Sequence, residues 1–584
     1  MNLFRDLHLR LLTLLNELQQ ENSLPIPCDF SKVSVESPRD DTHGDISTNA
    51  AMVLSKLSSS TPKVLAENIK KKLSTLDFVT SVDIAGPGFI NIRLSDDFWR
   101  SYLKKILENG SLYGTSTEGA GKTVNVEYVS VNPTGPMHAG HGRVAVVGDA
   151  LATLLESVGF NVIREYYVND AGGQLDTLAR SVHIRYLEAL GEKVPPIPEG
   201  LYPGDYLIPV GHALAEKYGP LYKNAPESEW LEIFRVFSVN AMMDLIRNDL
   251  SLLGIHHDVF TSENELVKDG VVERMIATLK KEHLVYTGTL EAPKGKTLED
   301  WEPRPQLLFK STLFGDDTDR PLQKSDGSWT YFAKDIACHY DKYSRTQGAL
   351  YNVWGADHGG YVKRIKAAVE AISHGQNHLE VILCQMVNLM EDGIPLKMSK
   401  RSGTFITLQE VIEKVGKDVF RLIILMRKND APFDFDFSKV LEKSSENPVF
   451  YIQYAHARIQ SVKRQALETF PHLDLSSEAL SAASLTSLQE SAEINLIKIL
   501  SSWPRHVELA ASSLEPHRLG FFLHNLAAHF HALWNLGKEN TELRFIHPQS
   551  LQKTQDRLVL LTCVAQVLSN GLQLLGVKAL DEMR

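Results

Sequence analysis

The sequence is poor in cysteine, in long apolar runs and in basic charge. Its four cysteines, at positions 28, 338, 384 and 563 of 584 residues, form no CxxC pair and no regular spacing. This argues against a disulfide framework and a cysteine-based zinc site, and it predicts the reducing cytoplasm as the compartment. No apolar run approaches the roughly 18 residues that cross a bilayer. Residues 1–20 carry apolar side chains at helical spacing, broken by charges, which predicts an amphipathic helix.

The charge balance is acidic, with 61 lysines and arginines against 72 aspartates and glutamates and a formal net charge of −11. A surface of this sign argues against broad, nonspecific adhesion to nucleic acid, although it does not exclude local basic faces. Residues 447–584 carry 12 basic and 12 acidic side chains, so this tail would repel a polyanion less than the rest of the chain. The length, with 43% hydrophobic and 23% charged residues, predicts a soluble protein of several domains.

Shifts in pattern divide the chain into parts. Residues 1–105 combine helical patterns with two strands around a Gly-Pro-Gly turn and predict a small α/β domain. Residues 120–395 predict a parallel-sheet domain, interrupted at about 175–300 by an irregular insertion. Residues 396–446 hold a basic loop and connecting helices, one of them with the capping box Thr-Leu-Gln-Glu. Residues 447–584 predict an all-helical domain.

The centre of the chain has the order strand, loop, helix, strand. Residues 123–131 alternate like a strand, residues 143–160 place apolar side chains on one helix face, and residues 161–170 read as the next strand. This order predicts the right-handed βαβ unit of a Rossmann-type parallel sheet. The loop after the first strand therefore leads to a helix N-terminus, where free N–H groups and the helix dipole favour a phosphate.

That loop, residues 131–142, has the sequence VNPTGPMHAGHG and is called the histidine loop below. Its three glycines would let a ligand approach the backbone. His138 and His141 would add donors that hold phosphoryl oxygens as charge builds in a transition state. The structural alternative, which the loop alone leaves open, is a pair of turn histidines that cap the helix.

A second loop, residues 395–405 with the sequence PLKMSKRSGTF, is called the lysine loop below. It places Lys397, Lys400 and Arg401 in a short segment, and lysine is a mobile point charge that can follow a phosphate through a reaction. Taken alone, such a run is typical of a solvated basic turn. Together, HAGH after an early strand and KMSK after a late strand, in that order, resemble the paired motifs of class I aminoacyl-tRNA synthetases.

Longer segments in every part of the chain resemble the arginyl-tRNA synthetase family. They are HGDISTNAAMVL (43–54), GPGFINIRL (86–94), VEYVSVNPTGPMHAGHGR (126–143), REYYVNDAGGQ (164–174), YPGDYL (202–207), LFGDDTDRPL (313–322), SDGSWTYFAKDIACHYDKY (325–343), KMSKRSGTFITL (397–408), DFDF (434–437) and NPVFYIQYAHARI (447–459). The resemblance implies an α/β fold: a Rossmann-type catalytic domain with an insertion, a small N-terminal tRNA-binding domain and an all-α C-terminal anticodon-binding domain. In one departure, Arg401 stands where the family's lysine motif usually ends in serine. Lys400, the lysine expected to act, is present.

The resemblance also implies which residues bind arginine. A guanidinium is planar and permanently charged, so its site should present carboxylates and carbonyls in a fork. The family uses a Glu and an Asn on the strand leading to the histidine loop, here Glu127 and Asn132. It also uses a Tyr-x-x-x-Asp pair, here Tyr331 and Asp335. The structural alternatives are a solvated strand residue at Glu127 and a core aromatic at Tyr331.

Further site residues follow from the resemblance. In WGADHGG (354–360), Asp357 is expected at ATP and His358 at arginine. The implied catalytic side chains are those of His138, His141, Lys397 and Lys400. The implied ATP-binding set is Pro133, Thr134, Gly135, His138, Gly140, His141, Asp357, Met398, Ser399 and Lys400. No residue is implied as a metal ligand, because Mg²⁺ is expected to arrive with ATP rather than in a dedicated protein cage.

The family's activity is implied as well. Arginine and ATP would give arginyl-adenylate and pyrophosphate, and the arginyl group would then pass to the 3′-terminal ribose of tRNA(Arg) with release of AMP. The resemblance implies a cytoplasmic protein without a membrane segment, acting as a monomer, that needs bound tRNA before it activates arginine. The alternative is a non-catalytic tRNA-binding relative. Such a relative should have lost His138, His141 or Lys400, and this sequence retains all three.

The C-terminal tail offers candidate RNA contacts. Unpaired bases stack on aromatic side chains, and Tyr451, Tyr454 and Trp534 are available for this if they are not core residues. The basic residues Arg458, Lys463 and Arg464 are either phosphate contacts or a solvated helix face, and the sequence favours neither.

Overall fold

The computed structural model describes residues 2–21, 24, 29–38, 40–57, 60–290, 304–376, 378–396, 406–444 and 446–583. The N-terminal domain combines helices with a four-stranded antiparallel sheet of order β1-β2-β4-β3. Its elements are α1 (Leu3–Gln20), β1 (Val35–Glu36), β2 (Ile46–Thr48), α2 (Ala50–Ser55), α3 (Pro62–Leu73), β3 (Val79–Ala85), β4 (Phe89–Leu94) and α4 (Asp96–Asn109). The predicted turn between β3 and β4 is confirmed. Gly86 and Gly88 adopt φ angles of +53° and +137°, which favour glycine.

The central domain is built on a five-stranded parallel sheet of order β12-β11-β5-β6-β7. Its first elements are β5 (Thr123–Tyr128), α5 (Ala139–Ser157), β6 (Asn161–Val168), α6 (Gln174–Ala189), α7 (Ile208–Tyr218), α8 (Glu227–Leu252), β7 (Val259–Ser262), α9 (Glu263–Lys268) and α10 (Val271–Lys281). They are followed by β8 (Val285–Gly288), β9 (Gln306–Phe309), β10 (Arg320–Pro321), α11 (Tyr331–Thr346), β11 (Leu350–Gly355), α12 (Val362–Ile372) and β12 (Leu379–Cys384). Because β5, α5 and β6 form the predicted βαβ unit, the Rossmann-type assignment is confirmed.

The segment at 175–300 is not the irregular insertion that the sequence suggested. Most of its described part is helical, in α6, α7, α8 and α10, and β7 is the edge strand of the central sheet itself. The pattern was misleading because β7 has only four residues, of which three are partly accessible, so it carries no strong alternation. The central sheet therefore includes a strand from within the range that was assigned to the insertion.

A small mixed sheet and short helices connect the central domain to the C-terminal domain. They are β13 (Val387–Glu391), β14 (Ile394–Pro395), α13 (Leu408–Val415), α14 (Lys417–Leu425), β15 (Phe433–Asp436) and α15 (Phe437–Val440), with strand order β14-β13-β15. The turn from β13 to β14 places Asp392 and Gly393 at φ angles of +50° and +79°, as expected of an Asp-Gly hairpin. The predicted capping box at the start of α13 is also confirmed, since Thr407 and Glu410 cap each other's amides.

The C-terminal domain is an all-helical bundle. It contains α16 (Pro448–Thr469), α17 (Ser477–Ser481), α18 (Ser491–Ser512), α19 (His517–Glu539) and α20 (Leu551–Leu574). By length and composition α20 is the one helix of the described residues that could cross a membrane, but 72% of its apolar window is buried. It is the central core helix of the bundle, and its Cys563 Sγ–H reaches the Leu103 carbonyl of α4.

Candidate active site

The candidate site lies where the central sheet changes direction. From β5 the chain adds β6 and β7 on one side, and then returns to add β11 and β12 on the other. In parallel sheets, ligands bind beyond the carboxyl ends of the strands at such a switch point. The histidine loop leaves the carboxyl end of β5, and the WGADHGG segment leaves that of β11. The fold therefore brings these two predicted segments to the same edge of the sheet.

The backbone is strained directly before the histidine loop. Val129 and Ser130 both have positive φ angles, +73° and +43°, although neither is glycine. Such conformations are costly for a β-branched residue and persist only when the surroundings hold them. Here the Ser130 hydroxyl donates to Glu127 Oε1 (2.9 Å) and accepts from the Tyr167 amide (3.1 Å), while Tyr166 Oη–H donates to the Val131 carbonyl (2.7 Å). The turn thus ties the direction of the loop to the Glu127 carboxylate.

His138 and His141 lie together at the N-terminus of α5. Nδ1 of His138 accepts from the Gly140 amide (3.2 Å), and Nδ1 of His141 accepts from the His138 amide (3.3 Å). Their rings are stacked, with centroids 3.6 Å apart. The structural alternative of capping histidines is therefore part of their role. The same contacts also hold two imidazoles side by side at the positive end of a helix, where an anion is favoured.

Two of the loop's glycines contact protein rather than open space. A Cβ on Gly142 would lie 2.7 Å from Leu408 and 2.9 Å from Phe420, and one on Gly135 would lie 3.0 Å from the Tyr206 ring. Both glycines were predicted to allow close approach of a ligand; at Gly142 the absent side chain instead allows close packing of α5 against α13 and α14. Tyr206 also donates to the Thr134 carbonyl (2.9 Å), which fixes the first half of the loop.

Glu127 is a buried member of an ion pair. It is 5% exposed and pairs with Lys342 of α11, which is itself fully buried. Burial is the largest single influence on Lys342 and acts against its charged form, but the charges of Glu127 and Glu165, together with the Glu127 hydrogen bond and the nearby Cys338, raise the lysine pKa. A solvated strand residue at position 127, the structural alternative, is excluded. Lys342 was not recognised from the sequence, because it lies 215 residues away from its partner.

Asp335 and Tyr331 share the first turns of α11. The Asp335 carboxylate accepts from the Tyr361 hydroxyl. Desolvation raises the pKa of Asp335 to about 7; the Tyr361 hydrogen bond acts against this, and the charges of Glu263 and Glu127 add to it. Tyr331 is 56% exposed, with the ammonium groups of Lys324 and Lys334 within 5.7 Å of its ring centroid. It is therefore not the core aromatic that was the alternative.

Glu263 is a further carboxylate of this site that the sequence analysis missed. It is 2% exposed, accepts from Tyr167 Oη–H (2.8 Å) and from Lys334 Nζ (2.7 Å), and lies near enough to raise the Asp335 pKa. It follows β7 directly, at the carboxyl end of the sheet. The signal was an acidic residue after a strand, but β7 was read as part of an irregular insertion.

The remaining predicted residues surround these two groups. Asn132 is exposed, and Pro133 is buried. Asp357 and His358 lie in a 3₁₀ turn, Ala356–Tyr361, directly after β11, with side chains 72% and 63% exposed and 3.5 Å apart. Lys397, Met398, Ser399, Lys400 and Arg401 lie outside the described residues. Within the described residues, no group of three or more His, Cys, Asp or Glu side chains is placed to hold a metal ion.

Comparison with known proteins identifies similar families for three stretches of the chain. The family model described as the arginyl tRNA synthetase N terminal domain matches residues 13–94. The model for the catalytic domain of class I (R) tRNA synthetases matches residues 102–197, and the model for the DALR anticodon binding domain matches residues 452–583.

Similar full-length proteins also exist. An arginine–tRNA ligase of Parvibaculum lavamentivorans is 54% identical over 584 residues, and one of Ruegeria pomeroyi is 53% identical; each alignment covers 100% of both chains. Among solved structures, the arginyl-tRNA synthetase of Thermus thermophilus superimposes with a TM-score of 0.74 over 100% of both chains at 20% identity. That of Plasmodium falciparum gives 0.71 over 99% of both chains at 16% identity. At these identities the two structures support the fold alone.

Proposed function

Because the chain belongs to the arginyl-tRNA synthetase family and is an arginine–tRNA ligase, we propose that the carboxylate pocket and the histidine loop are its arginine and ATP sites. The enzyme joins arginine to ATP as arginyl-adenylate with release of pyrophosphate, and then transfers the arginyl group to tRNA(Arg) with release of AMP. The arginine carboxylate is ionised at neutral pH and attacks the α-phosphate without a general base. Catalysis of the first step is therefore a matter of positioning and charge stabilisation.

Asp335 is the main partner of the guanidinium. One observation carries this assignment: of the three carboxylates that meet here, Glu127 is paired with Lys342 and Glu263 with Lys334, whereas within the described residues the Asp335 carboxylate accepts only from the Tyr361 hydroxyl. A planar cation that enters the pocket thus finds one carboxylate without a cationic partner. Two neutralised carboxylates beside it supply further acceptors.

The other arginine-binding residues act around this centre. Tyr331, exposed at the start of α11, covers the guanidinium or its apolar stem. Asn132, exposed on the histidine loop, and His358, exposed after β11, hold the α-amino and carboxylate end, which must face ATP. Glu127 fixes the Ser130 turn and so couples the arginine pocket to the histidine loop.

ATP lies across the N-terminus of α5. His138 and His141 hold phosphate oxygens, and Pro133, Thr134, Gly135 and Gly140 shape the adjoining backbone. Asp357 binds on the adenosine side. From the lysine loop, Lys400 stabilises the transition-state charge with support from Lys397, Met398 and Ser399. Mg²⁺ is held through the phosphate oxygens of ATP, since it keeps most of its own waters and needs few protein ligands.

Residues 1–105 and 447–584, which flank the catalytic domain in the chain, bind tRNA(Arg). The enzyme works as a monomer in the cytoplasm, and bound tRNA completes the arginine-activating site, a form of induced fit. The matches of the first and last domains to N-terminal and anticodon-binding families support this division.

The test is exchange of labelled pyrophosphate into ATP, with arginine, lysine or citrulline, each with and without tRNA(Arg). We expect exchange with arginine but not with lysine or citrulline, and only when tRNA is present. Exchange without tRNA would remove the induced-fit proposal and keep the site. In Lys400→Ala, exchange should fall far more than arginine binding. Equal exchange with citrulline would contradict the carboxylate pocket, because citrulline lacks the positive charge.

A further inference from the structure

The residue directly before His138 is held from two sides. The Met137 amide donates to Asp249 Oδ2 of α8 (2.9 Å), and the Met137 carbonyl accepts from the Leu408 amide at the start of α13 (2.8 Å). His138 itself forms an antiparallel bridge with Thr407. These contacts of Met137 and His138, called the clamp below, join the end of the histidine loop to the start of α13. Thr407 and Leu408 come shortly after the lysine loop in the chain.

Burying the Asp249 carboxylate costs more free energy than a merely structural hydrogen bond would justify. It is 4% exposed, and no Lys, Arg or His in the described part of the chain lies within 4.0 Å of its carboxylate. Burial raises its pKa to about 6, and the Met137 hydrogen bond acts against that rise. Leaving a carboxylate buried without a cation costs free energy, so such groups persist mainly where they hold something in place.

We propose that Asp249 is a positioning residue for adenylate formation, which holds the end of the histidine loop against Thr407 and Leu408 so that His138 and His141 meet the triphosphate. This inference rests on the proposed ATP site. Its physical basis is that the Met137 peptide has both hydrogen-bonding groups fixed, by α8 on one side and by α13 on the other. A shift of about 1 Å in such a segment can lower a rate by up to about a hundredfold.

The alternative is that Asp249 only satisfies a buried N–H group, which would otherwise cost stability. The two roles differ in their kinetic signature. A structural residue lowers the unfolding temperature and leaves the kinetic constants of the folded fraction unchanged. A positioning residue lowers kcat and raises the KM for ATP, but leaves the equilibrium binding of arginine unchanged. The reason is that the proposed arginine site uses α11, β5 and the first half of the histidine loop, which Tyr166 and Tyr206 hold independently of Asp249.

The experiment measures tRNA-dependent pyrophosphate exchange, arginine binding by calorimetry and thermal unfolding for Asp249→Ala and Asp249→Asn. In Asp249→Ala we expect kcat to fall about 10- to 100-fold and the KM for ATP to rise, with unchanged arginine Kd. Asp249→Asn keeps an oxygen acceptor for the Met137 amide and should recover most of the loss. Asp244→Asn is the control, because Asp244 is exposed on the same helix and pairs with Arg247.

A second pair of variants tests the clamp from its other side, and also decides the matter if Asp249→Ala does not fold. Leu408 is the first residue of α13, a position where proline is tolerated. Leu408→Pro removes the amide that donates to Met137, and Leu408→Ala removes the same apolar contacts while keeping that amide. We expect the proline variant to lose more kcat than the alanine variant. Equal kinetics in this pair, or Asp249→Ala with wild-type kcat and KM, would overturn the proposal; failure of the proposed ATP site would instead show as no exchange in the unmodified enzyme.

Discussion

At the scale of single residues, the kind of ligand that suits the carboxylate pocket depends on how its three carboxylates are paired. Two of the three are neutralised internally, by Lys342 and Lys334, so the pocket does not carry three negative charges. The third, Asp335, keeps a raised pKa because its carboxylate is desolvated beside Glu263 and Glu127. Under the proposed assignment, an arginine side chain would supply the cation, and a neutral side chain of the same shape would leave Asp335 with only its hydrogen bond from Tyr361 among the described residues.

Asp335→Asn should therefore weaken the binding of arginine more than the binding of ATP. Truncating one partner of a buried, hydrogen-bonded charge pair costs about 2–5 kcal/mol, which corresponds to roughly 30- to several-thousand-fold in Kd for arginine. The measurement is arginine binding by calorimetry together with the KM values for both substrates. Asp341→Asn is the matched control, since Asp341 lies on the same helix and pairs with Arg345 near the surface. An arginine Kd within a few fold of wild type would contradict the assignment.

The raised pKa of Asp335, about 7, also predicts how pH acts on this enzyme. Arginine needs the ionised carboxylate, so its Kd should rise as pH falls through 7, approaching tenfold per pH unit at lower pH. Stability changes in the opposite sense. The folded protein holds this proton above the pH at which an unfolded aspartate releases it, so the stabilising contribution is present at low pH and is lost as pH rises through 7. Calorimetric titration with arginine from pH 5.5 to 8 should show this pH dependence of the arginine Kd in the wild type and a flat profile in Asp335→Asn.

Motifs predicted some residues of the candidate site and not others, for a physical reason. Glu127, Asp335, His138 and His141 lie in quoted segments that match a family, and the fold brings these segments to one sheet edge. The partners Lys342, Glu263 and Asp249 were not found, because each acts on a group far away in the chain and carries no local pattern. Their roles follow from burial and pairing, which exist only in the folded protein.

At the scale of elements, the fold was predictable where a pattern was long and uniform. β5, α5 and β6 alternate or repeat clearly in sequence, whereas β7 has only four residues, one of them buried. Propensity and periodicity are weak guides for such elements, whose place depends on their neighbours. This is why the edge strand of the central sheet was assigned to an insertion.

One buried arginine joins three of these elements to α14. Arg421, 1% exposed on α14, donates to Asp149 Oδ2 of α5 (2.7 Å), to the Leu253 carbonyl at the end of α8 (3.1 Å) and to the Leu575 carbonyl at the end of α20 (3.0 Å). α5 begins at the histidine loop, α8 carries Asp249, and α20 is the core helix of the C-terminal bundle. The planar fork of a guanidinium makes three such contacts, and a lysine ammonium in this place would not span them.

Arg421→Met should lower the free energy of unfolding by about 3–5 kcal/mol, because it leaves the Asp149 carboxylate buried without its main partner. Urea denaturation gives the change, and hydrogen exchange of α5 and α20 shows whether both helices loosen together. The free energy of unfolding of Arg421→Lys should lie between those of the wild type and Arg421→Met. Arg464→Met, which removes an exposed arginine 3.8 Å from Glu582, should stay within about 0.5 kcal/mol of wild type. A loss confined to one helix would contradict the joining role of Arg421.

At the scale of the whole molecule, an acidic protein must bind an acidic RNA through a few chosen places. The net charge is −11, and the C-terminal residues from 447 onward are neutral by count. The structure separates the basic side chains left undecided there. Arg464 is an exposed surface residue and Lys463 is partly buried, whereas the Arg458 guanidinium lies 4.3 Å from the Tyr454 ring centroid and 4.6 Å from that of Trp534. A cation between two partly accessible rings is neither core nor solvated face.

Such an arrangement suits an unpaired base, which can stack on an aromatic ring or on a guanidinium plane while its phosphate meets the charge. We expect Arg458→Ala to raise the KM for tRNA(Arg) by roughly 5- to 100-fold, the range for loss of about one base-stacking contact. Arginine binding in the absence of RNA should stay unchanged, because the pocket at Asp335 belongs to another domain. Arg464→Ala, which removes a charge from the same helix without disturbing the rings, should change the KM for tRNA only slightly. If both variants weaken tRNA equally, the contact is general charge attraction, and Arg458 has no special place in it.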